Sequence, residues 1–81
     1  MSPRLAPCKR EDFVDALKAL GFQGPFQGSR HDFMQYGDYP LHVPSYDEYD
    51  PSKLKQLIRE VEELIGRKIS NQDWANLKRG R

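Results

Sequence analysis

A short glycine-containing turn followed by a histidine holds the residues best suited to chemistry. The four residues are consecutive, in the order Gly28-Ser29-Arg30-His31. Histidine changes its charge near neutral pH, so it takes up and gives back protons there. Glycine lets the backbone turn tightly beside a ligand, and serine and arginine donate hydrogen bonds that phosphate accepts. This pattern predicts a turn that presents a proton-transferring histidine to a phosphate group. The alternative is a hairpin turn with a surface histidine that binds no ligand.

The composition is typical of a small domain with balanced charge. The chain has 81 residues, of which 13 are basic and 12 acidic, and its pI is about 7.9. This length allows one domain with a small core, and the single cysteine excludes an internal disulfide. Domains dedicated to nucleic acid usually have a pI above about 9. The overall charge therefore mildly disfavours a nucleic-acid partner, unless basic residues are segregated onto one face.

Signals for metal binding, membranes and export are lacking in the sequence. Two histidines and one cysteine, widely spaced, do not match the ligand spacing of a zinc site, so we predict neither metal nor cofactor. No apolar stretch is long enough to span a bilayer, and residues 1–7 have no apolar core of signal-peptide length. We therefore expect a cytoplasmic protein with no membrane partner.

Periodic apolar residues predict two helices that flank three strands. The first helix is predicted over 9–20 and ends at Gly21, and the second over 52–65 follows the N-cap residue Asp50. The predicted strands cover 22–27, 31–36 and 39–43. Short turns between them predict an antiparallel meander, with the helices covering one face and leaving the other open.

Alternation along the strands predicts which face each histidine occupies. Leu41 and Val43 share one face, which sends His42 to the other. If the neighbouring strand pairs in register, His31 shares the open face with Phe33. Both histidines are then expected to be exposed to solvent.

The remaining segments complete the predicted organisation. Residues 1–8 are expected to form a loose leader, 9–65 the core of a single domain, and 66–81 a C-terminal extension with a short helix carrying Trp74. The acidic segment 45–50 is expected to be a solvated loop. We thus predict an α+β fold, helix–three-stranded antiparallel sheet–helix, with a short C-terminal helical extension.

The order and spacing of these motifs resemble the HicA toxins of bacterial type II toxin–antitoxin systems. The resemblance rests on Leu20-Gly21-Phe22, Gly28-Ser29-Arg30-His31, Val43-Pro44 and the second amphipathic helix, and it spans roughly 9–64. It implies the fold of a double-stranded-RNA-binding domain and metal-independent endoribonuclease activity on messenger RNA. It also implies neutralisation by a HicB-type antitoxin.

The resemblance also implies roles for individual residues. The catalytic histidine of the family corresponds to His31, and Gly28 and Ser29 match the first two positions of its motif. Arg30 stands where many members have a second histidine. Acid–base help from one histidine contributes roughly 10²- to 10⁴-fold. Ser29, Arg30 and the backbone N–H groups of the turn are expected to stabilise the charge on phosphate.

Two lysines are candidates for further RNA phosphate contacts. Lys53 and Lys55 stand beside the start of the second helix, whose N-terminus itself favours anions. Both lysines are equally compatible with a solvated surface, and Arg30 with an ion pair to Asp32. A second function therefore stays open, that of a catalytically inert RNA- or protein-binding module on the same fold. His31 favours the ribonuclease, whereas the low net charge favours the binding module.

Overall fold

The described chain alternates short strands with three helices. The computed structural model describes residues 4–79. Its elements are β1 Cys8–Lys9, α1 Arg10–Ala19, β2 Gln23–Gln27, β3 Asp32–Tyr36, β4 Tyr39–Val43, β5 Glu48–Tyr49, α2 Pro51–Ile65 and α3 Asn71–Arg79. The predicted α+β class is confirmed, including the three-stranded antiparallel sheet and the C-terminal helix. The arrangement is compatible with that of a double-stranded-RNA-binding domain.

Strands β2, β3 and β4 form one antiparallel sheet, with β3 in the middle. Phe33 lies opposite His42, and Met34 lies opposite Leu41. Met34 and Leu41 are buried, so the alternation of side chains along each strand turns Phe33 and His42 to the opposite side. We call that side, which carries Phe33 and His42, the open face. Its predicted position is confirmed.

A two-residue turn sets the register between β3 and β4. The last pair of the ladder is Tyr36 with Tyr39, which leaves Gly37 and Asp38 as the turn. Gly37 has a φ of 61°, and none of the described non-glycine residues has a positive φ. A positive φ at the first central residue and a negative one at the second match a type II′ turn, whose twist suits a hairpin. Glycine therefore fits the first position of this turn.

Strand β2 is an irregular edge strand, as the sequence predicts. It pairs only with β3, and the pairing shifts between Gln23 and Phe26, where Gly24-Pro25 intervenes. Proline has no N–H to donate to a ladder, so it is tolerated at edges and bulges.

Helix α2 begins and ends at the residues that the sequence indicates. The Asp50 carboxylate accepts a hydrogen bond from the backbone N–H of Lys53 at 2.8 Å, and Pro51 is the first helical residue. At the other end, Gly66 adopts the left-handed conformation with a φ of 75°. These caps fix where the side chain of Lys53 emerges.

One cluster of buried side chains joins the covered face of the sheet to all three helices. Its members from the helices include Phe13, Val14, Ala16, Leu17, Leu54, Leu57, Ile58, Val61 and Trp74. Trp74 is 2% exposed, and its ring centroid lies 5.7 Å from that of Phe13. Helix α1 lies closer to α3 than to α2. Trp74 is therefore a packing residue, and through Ile69 and Trp74 the predicted C-terminal extension contributes to the core.

A reciprocal cap starts α3. The backbone N–H of Asp73 donates to the hydroxyl of Ser70 at 3.0 Å, and the N–H of Ser70 donates to the Asp73 carboxylate at 3.3 Å. The two bonds form a capping box, with aspartate in place of the usual glutamate or glutamine.

The segments before α1 and before α2 differ from the predicted leader and solvated loop. Cys8 pairs with Tyr49, and Lys9 with Glu48, in a second antiparallel sheet. Cys8 and Tyr49 are both buried, so neither segment is wholly loose or solvated. The reason is the aromatic ring of Tyr49, whose burial removes a large apolar area from water while the neighbouring acidic residues Asp47, Glu48 and Asp50 stay exposed.

The hydroxyl of Tyr49 has a polar partner inside the fold. It donates a hydrogen bond to the carbonyl oxygen of Pro44 at 2.6 Å. Burial raises the pKa of Tyr49 from 10.0 to about 12, although the nearby Arg10 guanidinium opposes the rise. The neutral phenol is therefore the form that the fold stabilises.

Tyr49 predicts a loss of stability in strongly alkaline solution. Its contribution is complete below pH 10 and is lost as pH rises towards about 12, because the unfolded chain releases the proton first. Tyr49→Phe should be less stable than wild type by about 1 kcal/mol at pH 8, from loss of the hydrogen bond. By pH 11 wild type should have lost about 1.4 kcal/mol relative to the variant, so the order reverses and Tyr49→Phe becomes slightly the more stable protein, measured by urea unfolding.

The control is Tyr46→Phe, because that side chain is 63% exposed. Its difference from wild type should stay the same at both pH values. A Tyr49→Phe difference that is equally independent of pH would contradict the assigned burial of the phenol.

Candidate active site

The turn between β2 and β3 delivers His31 to the start of β3. Gly28, Ser29, Arg30 and His31 are all exposed. The backbone N–H of Gly28 donates to the carbonyl oxygen of His31 at 3.1 Å, which closes the turn. A Cβ atom on Gly28 would collide with that same oxygen. The turn therefore needs glycine at this position because the backbone of His31 approaches so closely.

An ion pair anchors the first residue of β3. The Arg10 Nη2 atom lies 2.6 Å from the Asp32 Oδ2 atom, and both groups are partly exposed. The backbone N–H of Arg10 also donates to the carbonyl oxygen of Asp47 at 2.9 Å. Asp32 thus pairs with Arg10 and not with Arg30. Within residues 4–79, Arg30 forms no ion pair, which leaves its guanidinium donors available to a ligand.

The two histidines meet on the open face. The ring centroids of His31 and His42 are 4.5 Å apart, and the ring planes are inclined by 66°. Both residues are exposed. The sequence predicts that they share a face, but it does not predict this contact. The contact follows from the hairpin once its turn is known to have two residues. Pairing Tyr36 with Tyr39 brings Phe33 opposite His42, and His31 then becomes the diagonal neighbour of His42.

Two imidazoles in contact are suited to moving protons between a donor and an acceptor. When one ring is neutral and the other is protonated, the neutral ring can accept a proton and the protonated ring can donate one, so a single site offers a general base and a general acid.

The lysines predicted to bind phosphate lie elsewhere on the surface. Lys53 lines a shallow cavity with Glu48 and Asp50, whereas Lys55 lines a different one with Arg59. Neither cavity is lined by a histidine. The structure brings Ser29 and Arg30 together with the histidine pair through the turn, but it does not bring the two lysines into contact with that pair. Their role in RNA binding stays a prediction.

Residues 4–79 hold neither a cluster of metal ligands nor a membrane-spanning helix. In that part of the chain, no three or more His, Cys, Asp or Glu side chains are placed to share a metal ion. None of the helices within 4–79 combines the length and apolar character needed to cross a membrane.

Comparison with known proteins identifies no relative. No family model matches the chain, and searches of curated proteins and of solved structures also return no match.

The closed turn predicts that Gly28 is needed for the shape of the site. Gly28→Ala should lower the free energy of unfolding by about 1–3 kcal/mol, because the added methyl group collides with the backbone of His31. Chemical denaturation measures this loss, and the histidine side-chain NMR signals should shift. Gln27→Ala is the matched control, since Gln27 is an exposed neighbour. Equal stability of the two variants would contradict the close approach.

Proposed function

We propose that this protein is a metal-independent endoribonuclease in which His31 and His42 transfer the protons. The observation that carries the proposal is the contact between the two exposed rings, with centroids 4.5 Å apart, beside a turn bearing Ser29 and Arg30. The resemblance to HicA toxins supports the same reaction. On that basis the substrate is messenger RNA, and a HicB-type antitoxin neutralises the activity.

RNA supplies its own nucleophile in the proposed reaction. His31, as the neutral ring, removes the proton of a ribose 2′-hydroxyl, and the oxygen attacks the adjacent phosphorus. The bond from phosphorus to the 5′-oxygen breaks, and His42, as the protonated ring, gives its proton to that oxygen. The products are a 2′,3′-cyclic phosphate and a 5′-hydroxyl. The pair ends with the number of protons it began with, and exchange with water restores the original arrangement.

The turn supplies donors for the charge that develops on phosphate. The Arg30 guanidinium is free to donate to two phosphate oxygens at once, and the Ser29 hydroxyl adds another donor. Gly28 already donates its backbone N–H to His31 at 3.1 Å. The contribution of Gly28 is therefore the shape of the turn. Fixed donors of this kind stabilise a transition state because they need not reorganise as charge builds up.

A catalytically inert RNA- or protein-binding module is the second candidate function. The formal net charge of +1 favours the protein-binding form of this module, since domains that bind RNA usually carry an excess of basic residues. An inert module would cleave no RNA, whether the histidines are present or replaced. Cleavage assays on histidine variants therefore discriminate the two functions.

His31 is predicted to be required for cleavage and dispensable for folding. His31→Ala should lower the rate of RNA cleavage by at least about 10²-fold, as expected for loss of a general base. Its free energy of unfolding, from thermal denaturation, should differ from that of wild type by no more than about 0.5 kcal/mol, because the side chain is exposed. The assay uses end-labelled RNA with a chelator present and identifies the cyclic phosphate product. Expression of the variant should no longer arrest growth.

His42→Ala tests whether both rings take part. The rate should again fall, and a bell-shaped pH dependence in the wild-type protein should lose one limb. Gln56→Ala, an exposed change on α2, serves as the control and should cleave at the wild-type rate. A folded His31→Ala protein that cleaves at the wild-type rate would refute the proposal. A His42→Ala protein that does so would restrict proton transfer to His31.

The lysines are tested through the salt dependence of binding. Each phosphate neutralised contributes somewhat less than about one unit to the slope of log affinity against log salt. Charge reversal of Lys53 and Lys55 together should therefore flatten the slope by about one to two units. Charge reversal of Lys18, which is exposed on α1, is the control. An unchanged slope in the double variant would show that RNA does not contact the start of α2.

A further inference from the structure

A row of aromatic rings continues from the histidine pair across the open face. Phe33 lies opposite His42 in the register of β3 and β4, and Phe26 of β2 lies opposite Phe33. The ring centroids of Phe26 and Phe33 are 5.5 Å apart, with the planes inclined by 39°. Phe26, Phe33 and His42 thus lie side by side on β2, β3 and β4, and the ring of His31, which immediately precedes β3, contacts that of His42. We call these four residues the aromatic row.

The phenylalanines of the row are not needed to fill the core. Phe26 is 41% exposed, and neither Phe26 nor Phe33 belongs to the buried cluster. Exposed apolar groups that adjoin one another on a surface mark sites of interaction. The row lies across one face of a β-sheet, which is a broad and open surface. A flat ligand group fits such a surface better than a bulky one.

The charge on the open face is complementary to an anionic ligand. Alternation along β3 and β4 places no acidic residue there, only His31, Phe33, Gln35, Pro40 and His42. This is a local departure, because the chain as a whole has 12 acidic residues. Arg30 adds a cation beside His31 at one end of the row. The carboxylate of Asp32, on the other side of β3, is neutralised by Arg10.

We infer that the aromatic row binds the unstacked bases of single-stranded RNA. Flat apolar rings next to cationic groups match a ligand that has flat bases on a phosphate backbone. In a duplex the bases stack on each other and offer no free face to Phe26 or Phe33. The inference rests on the proposed function only for the step of cleavage, because stacking needs no catalysis.

The position of the row next to the histidines then defines the substrate of the reaction. A base stacked on Phe33 places its own ribose and phosphate close to His42 and His31. Attack by the 2′-oxygen requires it to lie in line with the bond that breaks, and a flexible single strand reaches that geometry more readily than a rigid duplex. Single-stranded segments of RNA are therefore the substrate class that this surface selects.

The first experiment measures binding without cleavage. The probe is a fluorescein-labelled single-stranded DNA of about twelve nucleotides, a length within the usual range for one binding domain. DNA lacks the 2′-hydroxyl and is not cut by the proposed reaction. Fluorescence anisotropy should show that wild-type protein binds the single strand at least about tenfold more tightly than a blunt duplex of the same sequence.

Variants of Phe26 assign the binding to the row. Phe26→Leu keeps an apolar side chain but removes the ring, and it should weaken binding of the single strand about tenfold. Phe26→Trp keeps an aromatic ring at this position and should bind the single strand about as tightly as wild type. Binding should quench the fluorescence of the introduced tryptophan. Tyr46→Leu, which removes a 63% exposed ring from a loop, should bind as wild type does. Unchanged thermal midpoints establish that all three variants fold.

The outcomes separate this inference from the proposed ribonuclease activity. With single-stranded RNA as substrate, Phe26→Leu should raise KM and leave kcat nearly unchanged. Phe26-dependent binding of the DNA strand without any RNA cleavage would support the row and refute the nuclease. RNA cleavage whose KM is unchanged by Phe26→Leu would support the nuclease and would overturn RNA binding by the aromatic row.

Two further results would overturn the inference. One is duplex binding as tight as binding of the single strand. The other is failure of both oligonucleotides to bind, together with a Phe26→Leu protein that loses self-association in sedimentation. The row would then be a protein interface.

Discussion

The register of β3 against β4 is the constraint on which the rest of the structure depends. Side chains alternate between the two faces of a strand. A shift of one residue would therefore turn the core-facing side chains of one strand to the solvent face. In the present register Met34 and Leu41 are buried, and Phe33 and His42 lie on the open face. The shifted register would bury a histidine and expose Met34. Burial of the core and assembly of the histidine pair are therefore consequences of the same pairing, which the turn after Tyr36 enforces.

The sequence predicts the larger elements because their signals are local. Helix α2 buries a repeating stripe and has a cap at each end, so both its existence and its limits, Pro51–Ile65, follow from nearby residues. The pairing of Cys8 with Tyr49 carries no such signal. Two-residue strands have no periodicity, and their pairing depends on segments far apart in the chain. The closeness of α3 to α1 likewise depends on tertiary packing around Trp74, although the cap of α3 is readable from its spacing.

Some features of the candidate site likewise follow from nearby residues, whereas others depend on contacts between residues far apart in the chain. The glycine turn and the face of each histidine follow from residues close together in sequence. The contact between His31 and His42 requires the register, which becomes calculable once the turn is known to have two residues. The ion pair of Arg10 with Asp32 is different, since an isolated arginine and aspartate on separate elements have many equivalent partners. The distant placement of Lys53 relative to the histidines also depends on tertiary structure.

Both edges of the three-stranded sheet contain a proline, Pro25 in β2 and Pro40 in β4. Pro40 lies opposite Gln35, next to the pair that closes the hairpin, a position whose backbone groups point away from β3. An incoming strand would meet a pyrrolidine ring there in place of an N–H. Neither edge therefore offers a complete ladder for sheet extension, which protects the domain against edge-to-edge aggregation.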